Sequence, residues 1–80
     1  MAKEWKERIN IDPAIQGGKP VIKGTRVPLE IIVGGLAGGD SIEEVCEGYS
    51  ITEPDVRVAL AYAAEMLRSE RVFLGATLET

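Results

Sequence analysis

The sequence has no histidine and a single cysteine, Cys46, in 80 residues. A lone thiol closes no internal disulfide, and without imidazole the common mixed nitrogen and sulfur metal sites cannot be assembled. Long apolar runs are also missing: the longest are short and broken by charge, which argues against a membrane-spanning helix. The N-terminus carries Lys3, Glu4, Lys6 and Glu7 in place of the apolar core of a secretion signal, so a soluble, cytoplasmic protein is expected. The glycines around Lys19 and Lys23 lack the Gly-Lys-Ser/Thr ending of a phosphate loop at the required spacing. The one dense set of carboxylates, Glu43, Glu44 and Glu47, has the spacing of a solvated helix face, whereas acid-base catalysis wants a tuned pair in a cleft. No catalytic residue, cofactor or metal is therefore expected, and the chain reads as a binding protein.

Eighty residues make one domain. At this size folding covers only a little over ~60% of the surface that the unfolded chain exposes, and with no covalent or metal staple the missing burial is expected to come from self-association, in a homodimer. Cys46 lies within an amphipathic pattern and reads as a small buried hydrophobe, not a reactive thiol. The net charge of −4 hides an asymmetry, because residues 1–28 carry +3 and residues 29–80 carry −7. A basic arm on an acidic body suits two arrangements: the arm reaches for phosphates, or it lies against an acidic surface of its own or a partner subunit.

Residues 1–28 read as an arm of two or three very short strands. Ile9 and Ile11 alternate with Asn10 until Asp12-Pro13 stops them, Gly17-Gly18 makes a turn, Pro20-Val21-Ile22 is extended, Lys23-Gly24 turns again, and Thr25-Arg26-Val27 is extended before Pro28. Residues 29–71 read as three helices. Pro28 fits the first helical position of a run with Leu29, Ile32, Val33 and Leu36 at helical spacing, which Gly38-Gly39 ends. Gly34-Gly35 inside that run permits close packing at about 1 kcal/mol per glycine relative to alanine. Ser41 with Glu44 forms a capping box for the second helix, which should end near Gly48. Thr52 caps the third, with Pro54 in its first turn and Asp55 placed to answer back to the cap. Its expected inward stripe is Val56, Ala59, Leu60, Ala63 and Leu67, and its expected end is near residues 68–71. Residues 72–80 form an apolar tail with Val72, Phe73, Leu74 and Leu78.

The second and third helices, at about residues 41–67 with a turn of some four residues between them, have the layout of a helix-turn-helix. Val45, Cys46, Ile51 and Val56 fall at the offsets where that motif places an apolar residue, a small one, an apolar plug in the turn and an apolar residue in the next helix. The glycine usual in the turn is replaced by Ser50. The outward residues at the start of the third helix are Thr52, Glu53, Arg57 and Val58, with Asp55 nearby. Two carboxylates there oppose the counterion release that drives DNA binding. Arg57 is the credible contact to a base or phosphate on this face, and equally the partner of Glu53 one turn earlier. DNA binding would otherwise rest on Lys19, Lys23 and Arg26, which also read as a solvated turn.

The run Gly17-Gly18-Lys19-Pro20-Val21-Ile22-Lys23-Gly24-Thr25-Arg26-Val27-Pro28, with Arg8-Ile9 before it and the helical segments at Ser41-Ile42-Glu43-Glu44 and residues 55–64 after it, resembles the prokaryotic family catalogued as domain of unknown function 433. The resemblance covers about residues 8–67. It implies a mainly α, homeodomain-like three-helix fold with two or three short N-terminal strands, and a role as the antitoxin half of a toxin-antitoxin pair beside a PIN-like ribonuclease. Physically, Gly18 and Gly24 suit backbone angles closed to other residues and Pro28 starts a helix, roles needed with or without a ligand.

Two functions follow. In the first, a dimeric helix-turn-helix body represses its own operon through operator DNA, and the tail docks on the toxin through Val72, Phe73, Leu74 and Leu78. In the second, the chain is an interaction or dimerisation module that never touches DNA. The tail has its own alternatives, folding back as a strand or wrapping the other subunit.

Overall fold

In the computed structural model residues 4–69 are described. Their N-terminal third is organised by residues in left-handed backbone space. Strand β1 (Ile9–Asn10) pairs antiparallel with β2 (Val21–Ile22), Ile9 opposite Ile22 and Asn10 opposite Val21. The link between them begins with Asp12, whose carboxylate accepts the Ala14 N–H at 2.9 Å, and reverses through three consecutive positive φ angles at Gln16 (52°), Gly17 (66°) and Gly18 (92°). After β2 the chain turns at once: the Thr25 N–H donates to the Ile22 carbonyl at 2.9 Å with Gly24 at φ 84°. The Thr25 hydroxyl also donates to that carbonyl and accepts the Val27 N–H, so residues 25–27 are held by the turn itself. The third short strand expected there is accordingly reduced to one antiparallel bridge between Val21 and Pro28. The Gln16 side chain donates to the Arg26 carbonyl, tying the two turns together ahead of the first helix.

Helix α1 (Leu29–Ala37) starts one residue later than the proline signal suggested, with Pro28 in the cap position at ψ 143°. It ends as its glycines dictate: Asp40 N–H reaches the Gly35 carbonyl and Gly39 N–H the Leu36 carbonyl, across Gly39 at φ 109°. Helix α2 (Ile42–Tyr49) carries the expected capping box, Glu44 N–H to Ser41 Oγ at 3.0 Å and Ser41 N–H to Glu44 Oε1 at 2.8 Å. Its end is the unusual feature. Ser50 takes the left-handed conformation (φ 57°, ψ 46°) in which the turn of this motif ordinarily holds glycine. Helix α3 (Glu53–Ser69) begins three residues after Ser50. The tail expected at residues 72–80, with Val72, Phe73, Leu74 and Leu78, lies outside the described residues.

The core draws on both strands and all three helices. Ile22, Leu29, Ile32, Val45, Ile51, Val56, Val58 and Ala59 form one buried cluster, with Cys46, Trp5, Ile9 and Tyr62 packed against it. Val45, Ile51 and Val56 meet there as the helix-turn-helix spacing required, and Cys46 closes the group half-buried. The third helix departs from expectation. Leu60 and Leu67, expected inward, are 42% and 59% exposed, while Val58, expected outward, is buried. The cause is a 3-10 turn at Glu4–Arg8 that packs on α3, in a stretch whose charges gave no sign of it. Positions 55, 58, 62 and 65 share one face of a helix. The arm runs along that face, with Arg8 paired to Asp55 and Trp5 edge-on to Tyr62 at 6.3 Å between ring centres. The arm thus meets α3 on one side while α1 and α2 pack on another, and Leu60, Met66 and Leu67 of α3 stay exposed.

A left-handed serine is strained relative to glycine by about 1 kcal/mol, partly offset by the greater entropy of an unfolded glycine. Ser50→Gly should raise the urea midpoint, by up to ~1 kcal/mol of stability, whereas Ser41→Ala, which strips the α2 capping box, should lower it by about 1 kcal/mol. A fall in stability with Ser50→Gly would mean that the serine hydroxyl does something the backbone angles do not explain.

Candidate functional site

The residues put forward as nucleic-acid contacts do not assemble into one basic face. At the start of α3, Arg57 donates to Glu53 at 2.8 Å, an i, i+4 pair with both side chains largely in solvent. Thr52 gives its hydroxyl proton to Asp55 Oδ2, which also accepts the Thr52 N–H, both at 3.1 Å. The outer surface of these first two turns therefore holds Glu53 and a guanidinium already matched to it, with the buried Val58 removed from the set of outward residues. Lys19 pairs with Glu30 of α1 at 3.1 Å. Lys23 and Arg26 are exposed on the turn after β2, and among the described residues their side chains make no ion pair.

Two of the arm's cations thus lie on acidic groups of their own subunit, Arg8 on Asp55 and Lys19 on Glu30, and Lys6 sits over the Trp5 ring at 5.7 Å. Part of the uneven charge of the sequence is thus satisfied within the chain. Asp55 is the most heavily used of these groups: 13% exposed, it receives the Thr52 N–H, the Thr52 hydroxyl and Arg8 Nη1 at 3.2 Å. It joins the helix-turn-helix corner to the N-terminal arm.

What the surface offers instead is apolar. Tyr62 stands between two open grooves. One, about 380 Å³, runs along the arm between Trp5, Ile9, Ile11 and Glu65. The other, about 500 Å³, lies between α1 and α3, with Leu29, Val33 and Gly34 on one side and Ala63 and Met66 on the other. Both fall in the ~300–1,000 Å³ range of binding clefts. Leu60, Met66 and Leu67 continue the apolar surface along the free half of α3, at 42%, 41% and 59% exposure. The sequence carries this signal in its apolar residues down the third helix, but the same periodicity describes a helix covered by its own domain.

With the fold laid out, its relatives can be placed. The model of the family described as "Protein of unknown function (DUF433)" matches residues 9–63. The chain belongs to this family. The matched stretch runs from β1 through the two glycine turns and all of α1 and α2 into α3, so the DUF433 unit is the hairpin and the three-helix body. An uncharacterised protein of Sinorhizobium fredii, y4eO, is 38% identical over 72 residues, a match that takes in 88% of this chain and 33% of that protein. The crystal structure of Rv2018 from Mycobacterium tuberculosis superposes with a TM-score of 0.63 at 28% identity, over 70% of this chain and 27% of that one. The DUF433 chain thus spans about a third or less of either relative.

Removing the Asp55 carboxylate leaves the Thr52 N–H and Arg8 without their acceptor. Asp55→Ala should cost this DUF433 domain about 1–2 kcal/mol in urea unfolding, the range of a lost helix cap. Arg8→Ala alone should cost under about 1 kcal/mol, because its guanidinium is half in water.

Proposed function

We propose that this DUF433 domain is a non-enzymatic, cytoplasmic protein-binding module of the antitoxin kind, acting as a homodimer and engaging a PIN-like ribonuclease toxin through its apolar α1–α3 face. One contrast carries the reading: the α3 start that would enter a DNA groove is acidic, with its arginine committed to Glu53, whereas the free half of the same helix exposes Leu60, Met66 and Leu67 beside an apolar groove. A protein partner gains from covering such a surface, and a phosphate backbone gains nothing from it. The toxin as partner follows from the family resemblance and is the finer part of the proposal.

Operator DNA is a second reading, favoured by the packing of Val45, Ile51 and Val56 in one buried cluster, the offsets at which a helix-turn-helix places its apolar residues. If Lys23 and Arg26, exposed and in no ion pair among the described residues, made two phosphate contacts, they would contribute a shallow salt dependence, a slope near −1.8 in log K against log salt.

The two separate cleanly by experiment. Co-expression with a PIN-like ribonuclease, taken from a gene beside this one where such a neighbour is found, should yield a complex, and Met66→Glu or Leu67→Glu should weaken it at least tenfold at unchanged fold by circular dichroism. Arg57→Ala should leave it intact. A gel shift with the upstream region showing sequence-preferring binding lost in Arg26→Ala or Arg57→Ala, together with wild-type toxin binding by both glutamate variants, would overturn the protein-binding reading in favour of DNA.

A further inference from the structure

Strand β1 has a strand on one side of it and, among the described residues, none on the other. The Lys23 N–H donates to the Arg8 carbonyl at 2.7 Å, with Ile9 opposite Ile22 and Asn10 opposite Val21. The alternation of an antiparallel ladder therefore turns the main chain of Arg8 and Asn10 toward β2 and that of Ile9 and Ile11 away from it. Among the described residues nothing accepts from the Ile11 N–H or donates to its carbonyl. The far side of β2 is already used, by the Ile22 N–H on the Val27 carbonyl and by the bridge from Val21 to Pro28. The open edge is that of β1, and a ribbon of two strands with an open edge gains from another strand.

The arm groove lies beside this edge. Ile9 and Ile11, two residues apart and so on one face of the extended chain, line it with Trp5 and Tyr62. Ile11 is 59% exposed, an apolar knob at the rim of an apolar groove. The same rim carries both signs of charge. Lys6 is in no ion pair among the described residues, and Glu65 gives Oε1 to Arg68 while its other oxygen has no partner among them. A polyanion meets Glu65 and an apolar floor, whereas a surface bearing a knob, a groove, a cation and an anion is complementary to itself. A two-fold axis normal to the sheet at Asn10 runs two β1 strands antiparallel, as edge pairing requires, and sets Ile11 of each copy opposite Ile9 of the other. The same rotation brings the Lys6 of each copy toward the Glu65 of the other. We infer that the occupant of the arm groove is a second copy of this chain, the two β1 strands pairing edge to edge in a four-stranded sheet and each Ile11 covering the groove of the other copy. The inference rests on the homodimer proposed above and gives it a surface across Tyr62 from the α1–α3 groove.

Sedimentation equilibrium of the full chain, without other partners, tests it. Wild type should be dimeric, and Ile11→Glu, a change at an exposed side chain, should weaken the dimer by about tenfold or more at unchanged helicity by circular dichroism. Lys6→Glu and Glu65→Lys should each weaken it about fivefold, because like charges then face each other twice across the axis. Mixed in equal amounts, these two variants should dimerise as wild type does, since both contacts of the mixed pair are again opposite in sign. The Ile11 amide should exchange about tenfold more slowly at concentrations where the dimer forms than on dilution. A monomeric wild type overturns this inference together with the homodimer on which it rests. A dimer that survives Ile11→Glu, a mixture no tighter than its two components, or an Ile11 amide that exchanges equally fast at both concentrations overturns the edge pairing alone and leaves the homodimer standing.

Discussion

Ile51 is wedged between Val45 and Val56 at the corner where α2 gives way to α3, and the rest of the fold depends on that corner being turned within a few residues. The turn requires a left-handed residue at position 50, and serine fills it, so burial of the plug must outweigh local backbone strain. Fully burying a side chain of this size is worth about 1.5–3 kcal/mol, and the strain about 1, so the balance favours the corner. Once it is set, Asp55 sits where it can hold Thr52 on one side and Arg8 on the other, and the N-terminal arm is drawn along α3.

The conspicuous glycine- and proline-rich run of the N-terminal third does mechanical work. Gly17, Gly18 and Gly24 carry positive φ, the Thr25 hydroxyl bridges its own turn, and Pro28 N-caps α1 while its bridge to Val21 closes the ribbon on the core. Lys19, which sits in that run and could have been a phosphate contact, is instead paired with the first turn of α1. A motif this specific invites a ligand-binding interpretation, but its side chains and backbone angles are largely accounted for by the double turn that aims α1 at the core.

The parts of the fold legible in the sequence were those set by short-range chemistry. The Ser41 and Glu44 box, the Thr52 and Asp55 pairing, the glycine end of α1, and the Val45, Ile51 and Val56 offsets are all written within a few residues of one another. The site was less legible. Arg57 had two readings, and proximity to Glu53 in one helix turn favoured the ion pair. The apolar α1–α3 groove had no signature of its own, because Val33 and Ala63 become neighbours only when two helices meet.

By itself, then, the sequence determined where the helices begin and end and how two of them join, because capping, propensity and turn geometry act over three or four residues. Only the tertiary structure decided which sides of α3 are covered and which are free. Trp5 and Arg8 reach α3 from the far end of the chain, Arg8 across 47 positions to Asp55, and bury Val58 where the helical pattern alone had turned Leu60 inward. A periodicity can state that a helix has an apolar side, but the direction from which a distant segment arrives is fixed by packing, and that direction set both the core and the surface left open for a partner.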